Sequence, residues 1–545
     1  MELLFLLTNM ILPLNGLWFH TALLTQLGDW VLLPTRFFFP PQMITPSVLG
    51  TYTKGLQPSD GESWIEIGVF AALLIGILVL YLQALRHLPT RISRRYLIVS
   101  VLLLGITFVL VPIVTSQDIY SYIIYARMSV IYHLNPLTSS PMAVFEDPAY
   151  MHLYWVDQPS AYGPVWTIIT STLQWVTGAF GTENIAPMIL ALRLLGLTAH
   201  LYSILLIWSI CGHLQKLTGK VSPRLRMQAT LAFAWNPLLL FEACVNAHND
   251  TVLLVFVLLA IWFLVRTPIY SLRSYLYATA MLGLATSLKI NIVLLIPGLV
   301  LFLWTQPQRI PQRLRSIAAV LAVYVGSILV LYAPFWDHGA VLGVLQVNPS
   351  TYRNINTIAE VLTHLYNSIL QLLGFPRQAD IGSPAETFLH TLSMATFVVI
   401  YGGLCWQALF TKTKLYTLVQ LLRWLALIWF LYCALGTPWM WPWYTVTLFG
   451  LLALIESVDA NVWRKKPLFG VLHCPLAIRL FAFSMLSLYC FYTWSPHMTM
   501  GGPLYFQWMW LRGLLWFVPL LPALSSWLAQ RKLKRASLSR TSLTH

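Results

Sequence analysis

The chain has 545 residues, of which 58% are hydrophobic and only 9% charged, and it carries a formal net charge of +15. A soluble domain carries about 25% charged residues, so this sequence lacks the polar surface to stay dissolved. Nucleic-acid binding does not explain the positive charge, because the basic residues sit in short connections between apolar runs rather than interleaved with aromatics on a soluble domain.

Apolar windows of about twenty residues recur along the whole length, each able to cross a roughly 30 Å hydrocarbon core as a helix. The expected fold class is an all-α polytopic membrane protein with about 13–14 transmembrane helices, counted from those windows. Basic clusters at 86–95, 216–226, 266–273, 309–315, 412–414, 464–466 and 531–540 lie between apolar runs. The positive-inside rule places them in the cytoplasm. Residues 3–24 read either as a first spanning helix or as an interfacial one, and no Lys or Arg precedes position 36 to form the basic region of a cleaved signal. The six cysteines lack paired spacing and read as small core residues.

In chain order, spans are expected at 64–86 and 96–115, the second ending outside at Asp118. A long outer stretch follows, containing "YGPVWTIITSTLQWVTGAF" at 162–180. If that segment crossed, the basic 216–226 loop would face outward, so it is placed as a helix in the outer interface, its start set by Gly163-Pro164. Spans at 187–211, 228–246 and 251–266 come next, the last two joined outside by "NAHND". Two short ones, 274–289 and 290–304, meet at Lys289. Sixteen helical residues reach only about 24 Å, so that junction is expected below the outer surface in a water-filled cavity. Span 316–335 leads to a second outer stretch, 336–386, and the remaining spans fall at 387–410, 416–437, 441–457, 477–494 and 508–529. The chain divides into an N-terminal segment 1–63, a core 64–457 and a C-terminal part 458–545.

Most of the 18 acidic residues fall on the outer side of this topology. Asp118 opens "DIYSYIIYAR" and has two readings, a helix cap or solvated end residue or a functional carboxylate. In "FEACVNAHND", Glu242, Asn246 and Asp250 are spaced i, i+4, i+8, so a continuing helix would place all three on one face. They form either a structural polar network or part of a site, since an unpaired carboxylate near the membrane edge is expensive. Lys289, Arg193 and Arg353 (in "NPSTYRNINTI") are cations that the topology brings to the outer side. Each alone also fits a snorkelling or ion-paired role. Together with the acids they describe an outer cavity with a general base and phosphate-binding cations. "PWMWPWY" reads as an interfacial aromatic belt or as a sugar-stacking surface.

A first outer loop opening "QDIYSYIIYAR" and then "LNP", followed by a Tyr-Gly-Pro interfacial helix, resembles the GT-C integral membrane glycosyltransferases. "AWNPLLLFEACVNAHND", "LATSLKINIVLLIPGLVLFLW" and "PWYTVTLFGLLAL" are similar to the bacterial polyprenol-phosphate-mannose-dependent mannosyltransferases and their arabinofuranosyl relatives. The resemblance covers roughly 96–457. "IIYARMSVIYHLNPL" lacks the tryptophan-aspartate that many relatives carry before the arginine.

The resemblance implies a polyprenyl-phosphate-linked sugar donor and a lipid, glycan or protein acceptor. It places the active site on the extracytoplasmic face of a bacterial plasma membrane. It makes Asp118 the expected base, with Asp250 orienting a hydroxyl. Lys289, Arg353 and Arg193 are the expected cations for the leaving phosphate, with His248 as a further phosphate ligand. Glu242, Asn249, Tyr122, Tyr162, Trp443 and Tyr444 complete the expected donor contacts. No cofactor is required; a divalent cation held by His248 or Asp250 is the one candidate. The rival readings are a transporter or flippase of lipid-linked sugars, which should show paired broken helices in matching halves, and a polymerase or ligase using the same donors.

The topology is testable directly. Cysteines introduced at Ser140 and Ala379 are expected to react with an impermeant thiol reagent added outside, and one at Ser222 is not. Outside labelling at Ser222 would overturn the interfacial placement of 162–180.

Overall fold

A computed structural model describes residues 60–88, 93–110, 118–153, 155–266, 271–343, 355–376, 383–410, 415–458 and 475–494, with isolated positions at 1, 3–4, 116, 515–522 and 524. Residues 3–24 as a unit, the expected 508–529 span as a unit, and Arg353 lie outside the described residues. The chain is an all-α polytopic membrane protein. No strand occurs among the described residues, and a single bridge joins Ile355 and Trp439.

The helices, in chain order, are α1 (Asp60–Arg86), α2 (Arg94–Leu110), α3 (Asp118–Val130), α4 (Pro164–Thr177), α5 (Ala186–Thr218), α6 (Pro223–Ala234), α7 (Pro237–Leu240), α8 (Asp250–Arg266), α9 (Leu272–Thr286), α10 (Ile296–Trp304), α11 (Ile310–Tyr332), α12 (Ile358–Leu372), α13 (Pro384–Phe410), α14 (Leu418–Leu431), α15 (Val446–Glu456) and α16 (Pro475–Trp494). Four helical segments among the described residues are long and apolar enough to cross a membrane: Ala186–Thr218, Ile310–Phe335, Pro384–Phe410 and Leu418–Gly436. Several of the other expected spans are shorter or broken apolar helices.

Helix α8 packs between α5 and α9, and α15 closes over α6 and α8, so the core is a helical bundle with α5 and α8 at its centre. Only 17% and 11% of the apolar windows of α11 and α13 are buried. Their Val330 and Val399 side chains are largely exposed, as suits helices facing lipid. With 33 residues, α5 runs about 50 Å. It carries Arg193 near its start and leads at its other end to the cations Lys216, Lys220, Arg224 and Arg226.

Two breaks interrupt the helices of this core. The first begins at Asn236-Pro237, where proline removes a backbone donor and the Asn236 side chain caps by accepting from the Leu238 N–H at 3.1 Å. A π turn at Phe241–Val245 follows, then an irregular 246–249 segment with Ala247 at φ 54°. The chain leaves at 115° along α8. Glu242, Asn246 and Asp250 are therefore not on one face of a continuing helix, because π geometry and a left-handed residue end that helix before Asp250.

The second break separates α9 from a 3-10 turn at Ile290–Leu295, with Lys289 extended between them. Helix ends leave carbonyls without partners, and here the first outer loop supplies them. Gly163 N–H donates to Leu288 O and Val165 N–H to Ser287 O, both at 3.0 Å. The approach is so close that a Cβ on residue 163 would collide with the Ser287 carbonyl.

Helix α4 buries Thr167, Thr170, Gln174 and Thr177 and exposes Ile168, Trp175 and Val176. Its polar face turns inward and its apolar face outward, as an interfacial helix requires. The second outer stretch holds a similar helix that the sequence reading left unassigned. In α12, Glu360, Thr363 and Asn367 are buried, while Leu362, Leu365, Ile369 and Leu372 are exposed. Cys211, Cys244 and Cys433 are free and buried.

Gly163→Ala is expected to force the loop off the broken helix. Overpacking of this kind costs about 1–3 kcal/mol, read as a lowered unfolding temperature in detergent. An unchanged unfolding temperature would show that the turn has room to shift.

Candidate functional site

The site assembles where the two breaks face the start of α3. The hydroxyl of Ser116 accepts from the Asp118 backbone N–H at 3.3 Å. The Asp118 carboxylate itself is turned to the Tyr162 hydroxyl, which donates at 3.4 Å, and to His248 Nδ1 at 3.8 Å. Tyr162 is placed there by the turn at Gly163. Its ring meets Tyr122 edge-on at 5.0 Å, and Tyr122 meets Trp166 in the same way. Asp118 is the first residue of α3 and follows the expected second span. Burial pushes its carboxyl up to about 6, against the opposing pull of Lys289 and the Tyr162 hydroxyl.

Lys289 projects from the second break onto the first. Its Nζ donates to both oxygens of Asp250, at 3.0 and 2.8 Å, and sits 4.1 Å from the centre of the Tyr444 ring. This arrangement neutralises a buried carboxylate at the first residues of α8, where an unpaired one would be expensive.

His248 follows the left-handed Ala247 and is fully buried. It stacks on Trp443 with ring centres 3.9 Å apart. Nδ1 lies 3.3 Å from the Tyr122 hydroxyl, and Nε2 lies 3.4 Å from Glu242 Oε2 without closing into a hydrogen bond. Burial and the neighbouring Lys289 hold this imidazole well below its usual range. With a carboxylate near each nitrogen, it does not form the phosphate-binding site expected of it. Glu242 is held by Tyr489, whose hydroxyl donates at 2.6 Å, and by the Asn246 amide at 3.1 Å, itself 3.0 Å from the Tyr489 oxygen. Both side-chain amide atoms of Asn249 are buried without a hydrogen-bond partner among the described residues.

Arg193 is fully buried. Its Nε donates to Val245 O at 2.9 Å and its Nη1 to Val109 O at 3.1 Å. It thus satisfies carbonyls at the end of the π turn and in the last turn of α2, which corrects its expected place among phosphate cations facing the cavity.

The aromatic run is not a lipid-facing belt. Met440, Trp441 and Trp443 are buried, and 355–356 grips the run: Ile355 N–H donates to Pro438 O, Met440 N–H to Ile355 O, and Asn356 Nδ2 to Met440 O. That clamp brings Trp443 against His248 and Tyr444 beneath Lys289.

The charged groups are layered. Asp118 and Lys289 side chains retain 22% and 12% exposure, whereas Asp250, His248 and Glu242 retain at most 1%. The accessible pair of this cluster is therefore a carboxylate and an ammonium. Among the described residues no three His, Cys, Asp or Glu side chains are grouped to hold a metal ion. The oxygens of Asp250 are already taken by an ammonium, so these residues do not fit the divalent cation that the sequence reading entertained.

Residues 47–306 match the family described as alpha-(1->6)-mannopyranosyltransferase, N-terminal domain, a GT-C-type mannosyltransferase family. The match spans just under half of the chain and supports membrane glycosyltransferase activity. Among curated proteins none matches the chain. The matched stretch contains Asp118, Tyr162, Glu242, His248, Asp250 and Lys289, so most of the assembled site lies within it. Trp443 and Tyr444 come from beyond it.

The cluster includes a residue that sequence reasoning did not reach. Tyr489, on α16 and beyond the stretch read as the core, completes the Glu242 cage. An isolated tyrosine in an apolar helix gives no local signal. Asn291, 3.5 Å from the Tyr432 hydroxyl, was likewise unmarked.

The structural role of Arg193 predicts that Arg193→Met strands two buried carbonyls, at about 1–3 kcal/mol each. A clear fall in unfolding temperature is expected, with donor affinity of the folded fraction unchanged. Selective loss of donor affinity at unchanged stability would return Arg193 to the phosphate site.

Proposed function

We propose that this glycosyltransferase moves a mannosyl group from a polyprenyl-phosphate donor to an acceptor hydroxyl on the outer face of the membrane. The observation that carries the reading is the partly buried pair at the front of the site: Asp118, aimed by Tyr162, beside Lys289 at a helix break. The family's description favours mannose and an α-(1→6) linkage, so the acceptor is read as a mannoside offering its primary C6 hydroxyl.

The chemistry follows from these two groups. The acceptor oxygen attacks the anomeric carbon as Asp118 takes its proton. The bond to the phosphate oxygen breaks, and its electron pair leaves with the lipid as a monophosphate. That anion gains charge as it departs and needs cations more than it needs an acid. Lys289 faces it with a lysine's remaining donor capacity. Arg353 is kept as a second cation on the strength of its outer position in the sequence. Direct displacement inverts the anomeric centre, so an α product requires a β-linked donor. Tyr444, under Lys289, is read as a contact to the donor.

The test is purified protein with β-linked polyprenyl-phosphate mannose and an α-mannoside, read as release of polyprenyl phosphate. Asp118→Asn keeps size and shape but lacks a basic lone pair, and it should bind donor normally while losing about 10²–10⁴-fold in turnover. Wild-type turnover should also fall below about pH 6, tenfold per unit, because only the ionised carboxylate accepts a proton and its titration lies near 6. Near-normal turnover by Asp118→Asn would sink the assignment and move the base to Asp250.

A further inference from the structure

The base assigned to Asp118 leaves two groups behind it unexplained. His248 and Glu242 are both fully buried, so no ligand at the front of the site reaches them. They stand in line with Asp118 nonetheless. Asp118 Oδ2 lies 3.8 Å from His248 Nδ1, and His248 Nε2 lies 3.4 Å from Glu242 Oε2. A carboxylate, an imidazole presenting one nitrogen to each side, and a second carboxylate form a continuous path from the front of the site into the bundle.

We propose that His248 and Glu242 are a proton relay behind Asp118, which draws the acceptor's proton inward to Glu242; the proposal rests on the glycosyl-transfer reading above. The Tyr122 hydroxyl lies 3.3 Å from Nδ1, and the relay uses the neutral tautomer with its lone pair on Nδ1 and its proton on Nε2, facing Glu242 Oε2. A proton arriving at Nδ1 then displaces the one on Nε2.

Stacking on Trp443 holds the ring plane. The other groups that act on the imidazole are Lys289, which discourages an imidazolium from accumulating, and the Asp118 and Glu242 carboxylates on either side. Glu242 is held on one oxygen by Tyr489 and on the other by Asn246, and it also feels the charges of Asp250 and Asp118. Its Oε2 is the oxygen that faces the ring.

The step balances. The acceptor O–H bond breaks as its oxygen bonds the anomeric carbon, and the proton passes to Asp118 Oδ2. Asp118 protonates Nδ1 while Nε2 releases its proton to Glu242 Oε2, so the imidazole ends neutral and the front carboxylate is again ionised. The reverse transfer discharges Glu242 to solvent through Asp118 once product has left. Both gaps exceed the roughly 2.6–3.2 Å of a working proton-transfer contact, as is common before substrate closes a site. His248 and Glu242 touch no substrate and act through Asp118, so they are positioning residues of the transfer.

A relay has a signature that a structural network lacks. Groups acting as one unit are non-additive: breaking either link does the damage of breaking both. Glu242→Gln still accepts from Tyr489 but cannot take a proton, and His248→Gln removes the conducting ring. Each is expected to lower kcat at least about tenfold, within the range of general acid–base effects, with the donor KM within about twofold. The double variant should be no slower than the slower single one. Unfolding temperatures identify any loss that comes from misfolding, and Tyr489→Phe serves as the control, weakening the cage while sparing the path.

Multiplying losses, or a normal kcat in Glu242→Gln, would overturn the relay while wild-type turnover leaves the transfer reading standing. No turnover by the wild type with polyprenyl-phosphate mannose would overturn both.

Discussion

Everything at the site depends on what becomes of backbone groups where two helices stop short. A helix that ends inside a bilayer exposes carbonyls that no water satisfies, and the ending is tolerable only where protein supplies donors. At 287–288 the donors are the N–H groups of Gly163 and Val165. At 245 the donor is the Arg193 guanidinium, which also reaches Val109. The first contact pins the outer loop to the core and the second pins α2 to the π turn, so satisfying the breaks also assembles the site. Tyr162 stands beside Asp118 because its neighbour caps a helix.

The breaks also explain how so many buried charges coexist. Five ionisable side chains, Asp118, Glu242, His248, Asp250 and Lys289, meet in one region of a chain with 9% charged residues. Removing a carboxylate from water is tolerable only with close partners. Asp250 has the ammonium of Lys289, Glu242 has Tyr489 and Asn246, and Asp118 keeps part of its exposure. The inner ion pair of Glu456 with Arg479, at 2.7 Å, obeys the same rule at the other end of the bundle, beside two small clefts that share Tyr81 and Asn236. Neither cleft touches the outer acids.

Much of this was legible because bilayers constrain sequence so strongly. The all-α polytopic membrane class followed from hydropathy. The shortness of 274–289 and 290–304 pointed to an outer junction at Lys289, where the structure has a break. What failed was local geometry without local signal. Spacing alone put Glu242, Asn246 and Asp250 on one face, and the π turn and Ala247 undid that periodicity. Arg193 read as a cavity cation because charge marks a residue as polar without saying whether it meets a ligand or a carbonyl. The "PWMWPWY" run has the composition of an interfacial belt, but main-chain bonds to 355–356 fold it inward. Tyr489 contributes from roughly 250 residues away along the chain, a tertiary pairing that no pattern reveals.

Charge movement during the proposed transfer shows why the layered arrangement suits a poorly hydrated site. At rest Lys289 and Asp250 cancel, and Asp118 and the donor phosphodiester each carry one negative charge. As the acceptor attacks, Asp118 loses its charge to a proton while the departing phosphate gains one. The net charge of the site stays constant; only its position shifts, from the carboxylate towards the ammonium. In a low dielectric, a change of total charge is far more expensive than such a displacement beside a fixed counter-charge. A base and a cation that open to the same outer side therefore serve both ends of one electron flow. The groups behind them determine how far the proton travels from the new negative charge before the product leaves.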